Sequence, residues 1–195
     1  MPLLALLSGA RPEEVAQLLV SDIFVRDEDQ RWSIRFSDEG MHPIKGAQTL
    51  KTERHGTGRR EFPIPQPLID LGLLAYHDHL NLEGETALFP LLRVKGKRGG
   101  LYESLGGWLG EYVYDHGVLP RGERRQPVRE FRHTWTTAAR ASGIARDARE
   151  YIQGRKPDGR GTSDEDYGFK NDLGDQIDRL RFKVDIVGLV PRWKP

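Results

Sequence analysis

The sequence predicts an α+β fold, mainly helical, with one small three-stranded antiparallel sheet. Two observations carry this expectation. Apolar residues recur at helical spacing along most of the chain, as in Leu68 to Leu82 and in the segment opened by Pro127. Strand-like segments fall in one window, where Arg31 to Phe36, Ala47 to Lys51 and Arg60 to Ile64 follow in series.

The elements read in order as follows. Leu3 to Leu7 reads as the end of a buried helix, broken at Ser8-Gly9. Pro12 suits the first position of a new helix, with Glu13 and Glu14 in its first turn. Val15, Leu18 and Leu19 share one face, and Asp22 marks the exit. In the first strand Trp32, Ile34 and Phe36 lie on one side. Turn formers from Glu53 to Gly58 predict a hairpin between the second and third strands, and Pro63 and Pro65 end the sheet. Leu68 to Leu82 is then one helix with a stop at Gly84, and Leu88-Phe89-Pro90 is a buried anchor. Lys95 to Gly100 is a basic loop. Helices follow at Leu105 to His116, Pro127 to Ser142, Arg146 to Gln153 and Asp172 to Arg181, with a polar loop from Gly154 to Asp166. Lys183 to Val190 has strand character.

At 195 residues the chain suffices for one domain with a real core, or a tight pair of small ones. Its 37% hydrophobic and 30% charged residues are an ordinary soluble balance. No apolar stretch is long enough to span a membrane, and Pro2 to Leu7 lacks a basic leader and a cleavage site. With no cysteine, disulfides and thiol catalysis are excluded, and a cytoplasmic setting in a bacterium or phage is the default. The net charge of +1 selects no partner. Local basic clusters do occur, at Arg93, Lys95, Lys97 and Arg98 and at Arg121, Arg124 and Arg125. They read either as solvated loops or as part of a nucleic-acid face.

Several side chains could carry chemistry. Arg11 sits close to a helix N-cap, where it could bind phosphate or simply pair with Glu13 or Glu14. Arg129 and Arg132 are three residues apart on one helix face, with Phe131, Trp135 and Ala138 towards the core. A phosphate between the two arginines would relieve their repulsion, as would remote carboxylates. Lys51, before the hairpin turn, is either a groove-entering proton donor or an edge-blocking lysine. Tyr167, after a long polar stretch, is either a packing anchor or a displayed hydroxyl that needs cations or a base to become a nucleophile. His77, His79 and His116 lack a zinc-ligand spacing, the glycines near Gly159 form no phosphate-binding loop, and no serine sits in a nucleophile elbow.

Together these segments resemble the tyrosine recombinases of the phage-integrase family. Ser8-Gly9-Ala10-Arg11-Pro12-Glu13-Glu14 resembles the first arginine box, whose core is Thr-Gly-x-Arg-x-x-Glu. Lys51-Thr52, followed by Arg59-Arg60-Glu61-Phe62-Pro63, resembles the hairpin lysine segment. Leu71-Gly72-Leu73-Leu74 and Leu88-Phe89-Pro90 resemble the linking helices. Arg129-Glu130-Phe131-Arg132-His133-Thr134-Trp135 resembles the second box, usually His-x-Leu-Arg-His-Thr-Phe. Ile152-Gln153-Gly154-Arg155 is similar to the Leu-x-Gly-His segment, and Asp166-Tyr167-Gly168 falls where the nucleophile follows.

The resemblance implies the catalytic domain of a DNA strand transferase. Arg11 and Arg132 would clamp the scissile phosphate of double-stranded DNA, Lys51 would protonate the departing 5′ oxygen, and Tyr167 would form a 3′-phosphotyrosyl intermediate. It implies no cofactor, neither ATP nor a metal, and a tetramer assembled on DNA by the full-length protein. Family members carry an N-terminal core-binding domain, so residues 1–195 are expected to be the catalytic domain alone, with its first helix truncated. Arg129 and Arg155 depart from the pattern, because histidine is usual at the first and histidine or tryptophan at the second. Arginine donates to phosphate but does not accept a proton at neutral pH. Two other functions compete with strand transfer: a non-catalytic DNA-binding relic, and an all-helical protein-interaction domain.

Overall fold

A computed structural model of the chain describes residues 1–50, 58–96, 99–118, 120, 127–155 and 172–195. Most of the expected Glu53 to Gly58 turn and of the Gly154 to Asp166 loop lies outside these residues. The fold is α+β, mainly helical, with a three-stranded antiparallel sheet as expected. Helix α1 (Pro2–Ser8) ends at Gly9, which takes the left-handed conformation at φ +64. Helix α2 (Pro12–Ala16) is only five residues long, shorter than its apolar pattern suggests. The chain then turns through Val20–Asp22 into the sheet.

The sheet differs from the expected one in its membership. Its order is β1 (Ile23–Val25), β2 (Trp32–Phe36) and β5 (Arg60–Pro63). The described part of the second expected strand, Ala47 to Lys51, is not in it. Only Gly46–Ala47 (β4) forms a ladder, a two-residue pairing with Met41–His42 (β3). The cause is the Gln17 side chain. Its amide accepts from the Thr49 N–H at 3.0 Å and donates to the Thr49 carbonyl at 2.7 Å, taking both backbone groups that a strand would need. Gln48 turns inward to bond the Gln17 carbonyl at 2.8 Å. The inward sheet face presents Ile23, Ile34, Phe36 and Phe62, with Phe36 and Phe62 stacked at 5.8 Å.

The expected single helix from Leu68 to Leu82 is two, α3 (Gln66–Asp70) and α4 (Leu73–Leu82). Gly72 divides them at φ +93, and a Cβ there would lie 2.8 Å from the Trp193 carbonyl. The helices α5 (Tyr102–Asp115), α6 (Pro127–Ala141), α7 (Arg146–Ile152) and α8 (Leu173–Asp178) follow the sequence closely. The last expected strand, Lys183 to Val190, contains instead a turn of helix, α9 (Ile186–Leu189), whose Gly188 N–H bonds the Asp185 carboxylate at 3.0 Å. That capping suits a helix start better than a strand. The tail then docks on its own chain, with the Trp193 N–H on the Leu71 carbonyl at 2.9 Å. No helix among the described residues is long and apolar enough to cross a membrane.

The core gathers α1, α6 and the sheet around Trp135, which is 1% exposed. Gly9 lies against that indole. A Cβ on Gly9 would stand 2.5 Å from Trp135 Cδ2, and its φ already disfavours any L side chain. Gly9→Ala is expected to destabilise the fold by at least about 1 kcal/mol in urea unfolding, since strain and clash add. An unchanged midpoint would remove this constraint.

Candidate functional site

Residues Arg11, Arg129, Arg132 and Arg155 line one open cleft of about 470 Å³, together with Glu13, Tyr102 and His133. Four of the six side chains singled out from the sequence therefore meet in one place. The other two, Lys51 and Tyr167, lie outside the described residues.

The arginines come from three separate stretches. Arg11 is the N-cap of α2, where its N–H bonds the Glu14 carboxylate at 3.2 Å. Its guanidinium also pairs with Glu14 at 2.9 Å and reaches the Gly154 carbonyl at 3.3 Å. The pairing with Glu14 and the place on the cleft hold together. Because α2 is a single short turn, the positive field here comes from the guanidinium, not from a helix dipole. Arg132 projects from α6 and donates to the carbonyls of Gly9 at 2.9 Å and Gln153 at 2.7 Å. Burial, aided by the charges of Arg11, Arg60 and Arg155, lowers its pKa to about 9, although Glu14 opposes the shift. Arg129 and Arg155 are exposed on the rim, at the N-terminal end of α6 and just beyond α7.

Beneath the arginines lies an ion pair that sequence reasoning missed. Arg60, fully buried on β5, donates to Glu14 at 2.7 Å, to the Ile152 carbonyl at 2.8 Å and to the Gly58 carbonyl at 2.8 Å. Its guanidinium lies 4.3 Å over the Phe36 ring. Gly154 takes φ +57 directly against it, and a Cβ there would stand 2.7 Å from Arg60 Nη1. The signal was available in the strand, because residues two apart share a face and Arg60 points inward beside Phe62. Gln153 was named only as part of a motif, yet it is 1% exposed. Its amide donates to Thr136 at 2.8 Å and clasps α7 to α6.

Glu13 is acidic but not free to oppose an anion. Its carboxylate accepts from the N–H groups of Leu101 and Tyr102 at 3.1 and 2.8 Å and from Lys45 at 3.0 Å. His133, the residue after the second-box arginine, is exposed on the cleft wall. No group of three metal-ligating side chains occurs among the described residues. The arrangement is thus a cationic cleft with converging guanidinium donors, suited to phosphate. The chain matches no family model, no curated protein and no solved structure.

Burial raises the carboxyl pKa of Glu14, but the charges and hydrogen bonds of Arg60 and Arg11 outweigh it and leave the pKa below the usual 4.5. A depressed carboxyl stabilises the fold fully above its unfolded value and loses that contribution as pH falls through the folded value. Arg60→Met is expected to cost about 3–5 kcal/mol at neutral pH, because it breaks a buried pair. It should also flatten the loss of stability on acidification below pH 4.5. Urea unfolding of both proteins from pH 7 to pH 3 measures both effects, and parallel pH profiles would contradict the assignment.

Proposed function

We propose that this chain is the catalytic domain of a phage-integrase-type tyrosine recombinase and cuts and rejoins double-stranded DNA in site-specific recombination. The observation that carries this reading is the meeting of Arg11 and Arg132 at one cleft, Arg11 held by Glu14 and the Gly154 carbonyl and Arg132 by the carbonyls of Gly9 and Gln153. These two residues come from the segments whose resemblance assigns them to the scissile phosphate. Arginines fixed in advance around the reacting phosphorus stabilise the charge that grows on its oxygens in the transition state.

In this reading the Tyr167 oxygen attacks the phosphorus as its proton passes to solvent water. The phosphorus–O5′ bond breaks, and Lys51 gives the departing 5′ oxygen a proton. The DNA 3′ phosphate is then esterified to Tyr167. A 5′ hydroxyl attacking the same phosphorus reverses the step and releases the tyrosine, so the ester energy is conserved. Arg11 and Arg132 hold the phosphoryl oxygens throughout.

A DNA-binding relic is the second reading, and one observation favours it. Among the described residues lining the cleft, the positions usual for histidine carry Arg129 and Arg155, and Glu13 is already engaged by three donors. That leaves His133 as the imidazole on the wall. A nicked suicide duplex carrying the recombination site separates the readings. Strand transfer predicts a covalent protein–DNA adduct, absent in Tyr167→Phe and formed about 10²-fold or more slowly in Arg132→Ala, by analogy with loss of an oxyanion donor. Salt-sensitive DNA binding without any adduct would establish the relic. Absence of both would leave the protein-interaction domain.

A further inference from the structure

We propose that the cleft holds two consecutive phosphates of one DNA strand, the first on Arg11 and Arg132 and the second on Arg129 and Arg155. This rests on reading the cleft as a DNA phosphate site.

The four arginines are of two kinds. Arg11 and Arg132 are partly buried and spend donors on Glu14 and on the carbonyls of Gly9, Gln153 and Gly154. The side chains of Arg129 and Arg155 are exposed and make no hydrogen bond or ion pair among the described residues. Each keeps the full planar fork that fits a phosphate through two N–H groups.

Charge and geometry both favour a second anion. A phosphodiester carries one negative charge and two non-bridging oxygens, and the anchored pair already supplies donors for both. The acidic groups nearby are committed, Glu14 to Arg11 and Arg60, and Glu13 to Lys45 and two backbone N–H groups. Arg129 and Arg155 would therefore add uncompensated charge around a single diester. The field of Arg155 already bears on Arg132. Arg129 stands three residues before Arg132 on α6, an offset of ~4.5 Å along the axis at the helical rise. That offset sets the roots of Arg129 and Arg132 on successive levels of α6. At about 470 Å³ the cleft falls in the range that takes a nucleotide-sized ligand.

Calorimetric titration of the whole chain with thymidine 5′-monophosphate, thymidine 3′,5′-bisphosphate and inorganic pyrophosphate tests this. The bisphosphate should bind about tenfold or more tighter than the monophosphate, with an advantage that shrinks as salt rises. In Arg129→Gln with Arg155→Gln the advantage should vanish while monophosphate still binds. In Arg132→Met both ligands should weaken. Unchanged urea midpoints in the double variant would confirm that its fold is intact. Equal wild-type affinity for the mono- and bisphosphate overturns this proposal alone and leaves a single-phosphate cleft. Pyrophosphate matching the bisphosphate also overturns it, in favour of a compact polyphosphate ligand. A wild-type chain that binds none of the three overturns the phosphate reading of the cleft as well.

Discussion

The carboxylate of Glu14 is the point on which the cleft depends. It is 3% exposed and lies between two guanidiniums, Arg11 at 2.9 Å and Arg60 at 2.7 Å. Through Arg60 it fixes the sheet and the end of α7, and through Arg11 it fixes the entrance of the cleft. A buried carboxylate is unfavourable unless it is paired, and two cations packed together are unfavourable unless something negative joins them. Glu14 meets both conditions with one side chain. The ion pair is less a source of stability than a demand for one particular geometry.

The same logic places the remaining arginine of the floor. Among the described residues Arg132 forms no ion pair of its own. It rests on two carbonyls, one past the end of α1 and one past the end of α7. Peptide dipoles hold the side chain in position while leaving its charge largely uncancelled. A side chain fixed in this way is ready for an anion before the anion arrives, and pre-organisation of that kind gives electrostatic catalysis its strength. Gly9 and Gly154 make this possible, because their left-handed backbones turn the adjoining carbonyls towards the arginines.

The fold class and most of the helices were legible in the sequence because periodicity and caps act locally. The cleft's arginines were legible too, since Arg129 and Arg132 share a helix face and Arg11 stands at a helix start. What escaped were long-range substitutions of one partner for another. Gln17 takes the backbone bonds of Thr49 and so removes a strand that Ala47 to Lys51 would otherwise form. The three residues of β1 are too few for alternation to be seen. The docking of Trp193 against Gly72 joins the C-terminal tail to the α3–α4 junction, far away in sequence, and no local pattern could register it. Arg60 was readable in principle, as a charge on the inward face of a strand. Its partner, Glu14, was less so, because a carboxylate in a first helical turn usually has its explanation in the helix alone.

Under the proposed strand transfer, the cleft serves a tyrosine that becomes bonded to DNA. Peptide mass mapping after exposure to a nicked duplex carrying the recombination site measures this directly. Strand transfer predicts one modified peptide, with a DNA 3′ phosphate on Tyr167. A phosphate ester on any other residue, or a fully unmodified digest alongside tight DNA binding, would contradict it.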